Sequence, residues 1–199
     1  MLGIALIFAA IVLGFALRRF LPSPVLSGSD RGVLPDDYMP RVIVYGLYLL
    51  VTDVLPSLIA LMMLWVAFVR RDVRDRYLWS AVMIYSSLIA AGLLGYLVRL
   101  PAHRFLPTYS GEFVNPAVVC GAIAYGALHF ALSRGESRPD RGAIAAVALV
   151  VLFALPIAIG FLSWATVLCS FLTAGGIWAI GVWIADRVGF DVYASDHVG

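Results

Sequence analysis

The 199-residue chain contains no lysine; its 14 basic residues are all arginine. It has only two cysteines and 13% charged residues, against about 25% in an ordinary soluble domain. Each shortage excludes something. Cys120 and Cys169 belong to no CxxC or Cys/His spacing, so no metal or redox site is expected. Both lie in apolar runs, where a thiol acts as a small hydrophobe. The net charge of +2 is too small to call for a nucleic-acid partner. There is no Gly-rich phosphate loop, GxSxG elbow or HExxH pair, and therefore no expected cofactor. The all-arginine basic set leans toward a GC-rich bacterial genome, and with it a bacterial cytoplasmic membrane.

What is abundant is apolar surface. The chain is 62% hydrophobic, with a mean hydropathy of +0.96. A fold of this size leaves much of its surface facing its solvent, so the excess cannot all be internal. The solvent is lipid, and the fold class is all-α: a polytopic helical membrane protein in a single domain. A spanning helix takes about 20 mostly apolar residues. Six segments meet or approach that length: 1–17, 42–69, 79–98, 116–132, 143–161 and 163–185. A short tail, 186–199, follows. The first segment lacks a basic leader and is followed by Arg18 and Arg19, which favours a retained helix over a cleaved signal peptide.

Arginine distribution sets the expected orientation. With six spans, one side holds both termini together with Arg70, Arg71, Arg74, Arg76, Arg134, Arg138, Arg141 and Arg187, which is eight. The other holds Arg18, Arg19, Arg31, Arg41, Arg99 and Arg104, which is six. The bias places both termini in the cytoplasm, with Arg18 and Arg19 against the rule. The charged segments 70–76 and 134–141 then read as headgroup-facing cytoplasmic loops.

The outer loops carry the candidate chemistry. The segment 99–115 gathers Arg99, His103, Arg104, Tyr109, Glu112 and Asn115 between two spans. Two guanidinium groups near a helix start suit a phosphate or carboxylate, so these six are the candidate headgroup-binding residues. Interfacial anchoring is the competing reading, with Asn115 and Pro116 as N-cap and first residue of the next helix. Asp53 is the carboxylate deepest in a span, where an ionisable group is costly and marks function by default. Pro56 beside it can kink the helix and free carbonyls. A structural partner, an arginine from a helix end or a tyrosine, is the competing role for Asp53. His129 and His197 have no acidic partner at helical spacing. Gly175, Gly176 and Gly181 give the last span a face suited to close helix contact.

Three stretches of the sequence resemble, in order and position, the motifs of the PAP2 family of lipid phosphate phosphatases. Gly95-Tyr-Leu-Val-Arg-Leu-Pro101-Ala-His103-Arg104 is similar to the basic motif ending that family's third span. Asn115-Pro116-Ala-Val-Val119-Cys and the run from Gly121 to Gly126 resemble the motif opening the fourth. Gly160 to Gly175 resembles the motif between the fifth and sixth, and Ser29-Asp-Arg-Gly-Val33 with Asp36 and Asp37 resembles the first outer loop. The resemblance implies a six-helix PAP2-like bundle. The family's nucleophilic histidine falls near Leu162, its orienting aspartate near Thr166 and its acid at Val119. None can perform phosphohistidine chemistry. The resemblance therefore implies a degenerate member that keeps the fold without hydrolysis.

The leading expectation is a non-catalytic membrane protein that binds an anionic lipid or lipid-linked headgroup at its outer face. A second is an accessory or scaffold subunit, docking through the Gly/Ala face of the sixth span onto a membrane protein partner or a second copy. A small transporter using Asp53, or a lipid-modifying enzyme using His103 and Glu112, is the third.

Overall fold

A computed structural model describes residues 2–20, 38–105, 113–133, 139–158 and 161–189. Every regular element among them is helical. In chain order these are α1 (Leu2–Phe20), α2 (Tyr38–Leu49), a π-helical segment (Leu50–Val54), α3 (Leu55–Val69), a 3-10 turn (Arg71–Val73), α4 (Arg74–Phe105), α5 (Pro116–Ser133), α6 (Pro139–Ala158) and α7 (Trp164–Val188). Four stretches are long and apolar enough to cross a membrane: Leu2–Arg19, Val42–Val69, Arg74–Arg99 and Trp164–Val188. Their composition is that of an integral membrane protein. Pro116–Phe130 and Ala143–Ala158 are apolar but shorter.

The shortness of α5 goes with its position. It lies at the centre, against α3, the π segment, α4, α6 and α7. Val118, Val119, Ile123, Ala124, Tyr125 and Ala127 are all buried. Small residues let its neighbours close in: a Cβ on Gly121 would stand 3.0 Å from Leu152 and 3.7 Å from Pro56. Such small-residue contacts replace the hydrophobic effect as the packing force where the solvent is itself apolar.

α1 and α7 form the other tight seam. A Cβ at Gly3 would sit 2.6 Å from the Gly176 carbonyl oxygen, and one at Gly176 would sit 2.8 Å from the Gly3 oxygen. Only paired glycines permit that approach. Gly181 is pressed by the side chain of Met83 on α4. Of the glycines on that face, Gly176 is covered by this chain's own α1 and Gly181 by α4, while Gly175 stays exposed.

Helix ends follow their local chemistry. The Asn115 side chain accepts from the Val118 N–H at 3.1 Å, and Ser163 accepts from the Thr166 N–H at 3.1 Å. Both are side-chain N-caps. Gly189 closes α7 at φ 83°, its N–H reaching the Ala185 oxygen. The span expected at 79–98 extends from Arg74 to Phe105. Arg99 to Phe105 is thus helical rather than loop, and the helix runs on through Pro101, since a helix need not end where its apolar run ends.

Candidate functional site

Two of the charged side chains inside apolar helices stand apart by their surroundings. The first is Arg18, in the last turn of α1 and 8% exposed. Its guanidinium donates to the Gly14 oxygen and to the Thr166 hydroxyl, both at 3.0 Å, and lies 4.2 Å from the Phe113 ring centroid. Phe113 in turn packs on Phe15 at 4.7 Å. Thr166 also meets Ser163 at 2.9 Å. The Ser170 hydroxyl donates to the Thr166 oxygen at 2.7 Å and accepts from the Asn115 N–H at 2.9 Å. One polar chain thus ties the end of α1 to the starts of α5 and α7. Arg18 is a packed residue, not a loop charge.

The positions matching the resemblance lie around this end. Val119 is buried in the core, Leu162 is half-buried, and Thr166 is engaged by Arg18. Those three side chains supply no nucleophile and acid pair. Of the candidate headgroup residues, Arg99 is exposed on α4 and Asn115 is spent as a cap. His103 and Arg104 fall in the last turn of α4, with their side chains outside the described residues; Tyr109 and Glu112 lie outside them altogether. Gly95, one turn before Arg99, faces the Val114 oxygen, which puts Arg99 at the same end of the bundle as Asn115.

The second ionisable group is Asp53, within the π segment of the Val42–Val69 rod. The turn has an identifiable cause. The Leu55 N–H bonds the Leu50 oxygen, five residues back, so it no longer serves Val51. The next donor for Val51 in a π register would be residue 56, which is proline and has no N–H. The orphaned Val51 oxygen accepts instead from the Tyr125 hydroxyl of α5 at 2.6 Å. Pro56 does free a carbonyl, as its place in the sequence suggests, and a tyrosine takes it.

The same widened turn carries Asp53 to the outside. Asp53 is exposed, while Thr52 beside it is buried. The Thr52 hydroxyl reaches the Asp53 carboxylate at 2.8 Å and the Tyr48 oxygen at 2.9 Å. Among the described residues Thr52 is the one side chain bonded to that carboxylate; the arginine or tyrosine expected of a structural role is not there. Ser57, also exposed, donates to the Asp53 backbone oxygen at 2.7 Å. Above this turn α2 leans on the bundle through Tyr48 and Tyr45, whose rings meet Phe161 at 4.9 and 5.6 Å. Val42, Ile43, Leu47, Leu49 and Leu50 remain exposed.

A lateral groove of about 360 Å³ opens between α5, α6 and α7. Gly126, Ala174 and Gly175 border it, with Phe130, Phe171 and Trp178 as aromatic walls and His129 as its polar edge. Both thiols point at helix carbonyls, Cys120 to Ile84 at 3.6 Å and Cys169 to Ala10 at 3.3 Å. Among the described residues, no three His, Cys, Asp or Glu side chains group closely enough to hold a metal ion. No family model, characterised protein or solved structure matches the chain.

Proposed function

We propose that this protein is a non-catalytic subunit of a membrane protein complex, docked through the exposed face of the α2–α3 rod. One observation carries the reading: the Asp53 carboxylate is turned outward in the middle of an apolar span. A carboxylate facing hydrocarbon is costly, and intramembrane ionisable groups face a bundle interior, a water-filled cavity or a partner. Covering this face with protein removes the cost. In this reading all six apolar helices cross the bilayer, with both termini in the cytoplasm. Removing the packed Arg18 from the outer side leaves five outer arginines against eight inner ones, which strengthens that orientation.

Site-specific photo-crosslinking in native membranes tests it. A crosslinker at Leu50 or Ser57 captures one protein in high yield, whereas one at Ile144, exposed on α6, captures lipid. Equal capture at both faces, or lipid alone at both, removes the reading.

A second reading keeps the protein as a receptor for an anionic lipid headgroup, a PAP2-like bundle without hydrolysis. What favours it is the exposed Arg99 at the bundle end that also holds the start of α5. Native mass spectrometry of the nanodisc protein separates the two. A retained anionic lipid, lost in Arg99→Ala, supports the receptor; a protein partner without lipid supports the subunit.

A further inference from the structure

We infer that the Asp53 face seats a partner transmembrane helix that carries an arginine or lysine at the depth of Asp53. This rests on the subunit reading and names the chemistry of its partner.

The depth comes first. At about 1.5 Å per residue, Asp53 lies about 17 Å along the rod from Val42 and about 24 Å from Val69. The hydrocarbon layer is about 30 Å thick. Every registration of the rod in that layer leaves Asp53 inside it, and an aspartate is too short to snorkel as arginine does. Thr52 offers the carboxylate a single hydroxyl proton, which the Tyr48 oxygen also contacts. The carboxylate therefore retains unfilled acceptor capacity directed away from the bundle.

Among the described residues, no cation fills it. The buried guanidinium of Arg18 is committed to Gly14, Thr166 and Phe113, at the α1–α7 seam. Cys120 on α5 lies near Asp53 and brings no positive charge. A second copy would present another Asp53, and two carboxylates in one apolar interface repel. Charge complementarity selects a cation, and intramembrane charges pair in this way.

The surface around Asp53 also accepts a helix. Gly46, two turns earlier and likewise exposed, has open space where a side chain would stand, so a partner backbone can approach. Ser57, one turn later, presents a small side chain whose hydroxyl is already bonded to this chain's backbone. Small residues flanking a polar anchor form the usual contact between helices in lipid.

The test uses the full chain in nanodiscs and a synthetic Leu/Ala transmembrane helix with one central arginine. Otherwise identical peptides with central leucine or central aspartate serve as controls, and association is read by energy transfer. The arginine peptide is expected to bind about tenfold tighter than the leucine peptide. Asp53→Glu keeps that preference; Asp53→Asn and Asp53→Leu abolish it. The inference is overturned if the arginine peptide binds no better than leucine, or if its preference survives Asp53→Leu. Asp53-dependent association of the chain with itself also overturns it, in favour of a second copy. If crosslinking still captures a protein at Leu50 while the arginine peptide fails, the subunit reading stands and only the cation falls.

Discussion

Arg18 and Asp53 are both charged residues within apolar helices, and the chain treats them in opposite ways. Arg18 is turned inward against α7, with two oxygens and an aromatic face around its guanidinium. Asp53 is turned outward, with one hydroxyl from the adjacent residue. The helix geometry differs to match. α1 is regular and packed so closely on α7 that glycine carbonyls set the distance. The α2–α3 rod is interrupted by a π segment and leans on its neighbours through tyrosines. Arg18 is enclosed by the chain, whereas Asp53 is left at its surface, where a carboxylate in lipid costs the isolated chain something.

Four predictions sharpen this contrast. The largest effect belongs to the seam. Gly176→Leu drives a side chain into the Gly3 oxygen and Ile7, both backbone and core, so α1 must move away. Overpacking of that kind costs about 3 kcal/mol, to be read as a loss in the unfolding free energy in mixed micelles. Gly46→Leu, on the open face, should cost the isolated chain far less by the same assay.

Arg18→Leu comes next, at about 2 kcal/mol, because the Thr166 hydroxyl and the Gly14 oxygen each lose a charged donor and Phe113 its stacked guanidinium inside the protein. Arg18→Lys should recover only part of it: an ammonium keeps the charge but not the planar fork that reaches two oxygens while lying over Phe113. Full recovery by lysine would mean that charge alone, not the forked geometry, holds the seam.

These two effects also mark how far the sequence is readable. The six apolar segments follow from composition, and the cap at Asn115 is local, involving a residue three positions on. The role of Arg18 is not local: its partner Thr166 is 148 residues away. The facing of Asp53 is hidden for another reason. In a helix apolar all round, lipid side and protein side have the same composition, so periodicity carries no direction. Pro56 signals a disturbed turn, but the carbonyl it frees and the tyrosine that takes it require the fold. Gly176 and Gly181 of the last span signal close contact correctly, while only the structure shows that their contacts are internal.

Tyr125→Phe probes the π turn. It leaves the Val51 oxygen without its donor and should cost about 1 kcal/mol. Pro56→Ala restores an N–H at the position that orphaned that oxygen. The double mutant should therefore lose less than the sum of the single losses, a coupling measurable in a double-mutant cycle. Strict additivity would separate the tyrosine from the turn.

The smallest effect on the isolated chain is the one that distinguishes the two charges most sharply. Asp53→Leu removes a carboxylate that, among the described residues, only Thr52 bonds, and Thr52 keeps its bond to the Tyr48 oxygen. No buried group is orphaned, so stability in detergent should stay within about 0.5 kcal/mol of the wild type. In a bilayer the same change exchanges a costly group for an apolar one, so the mutant monomer should insert at least as well. A residue whose removal leaves the monomer intact while abolishing capture at Leu50 and Ser57 is maintained for something outside the monomer. If Asp53→Leu instead unfolds the chain to the extent of Arg18→Leu, the two charges do the same job and the outward face needs no partner to explain it.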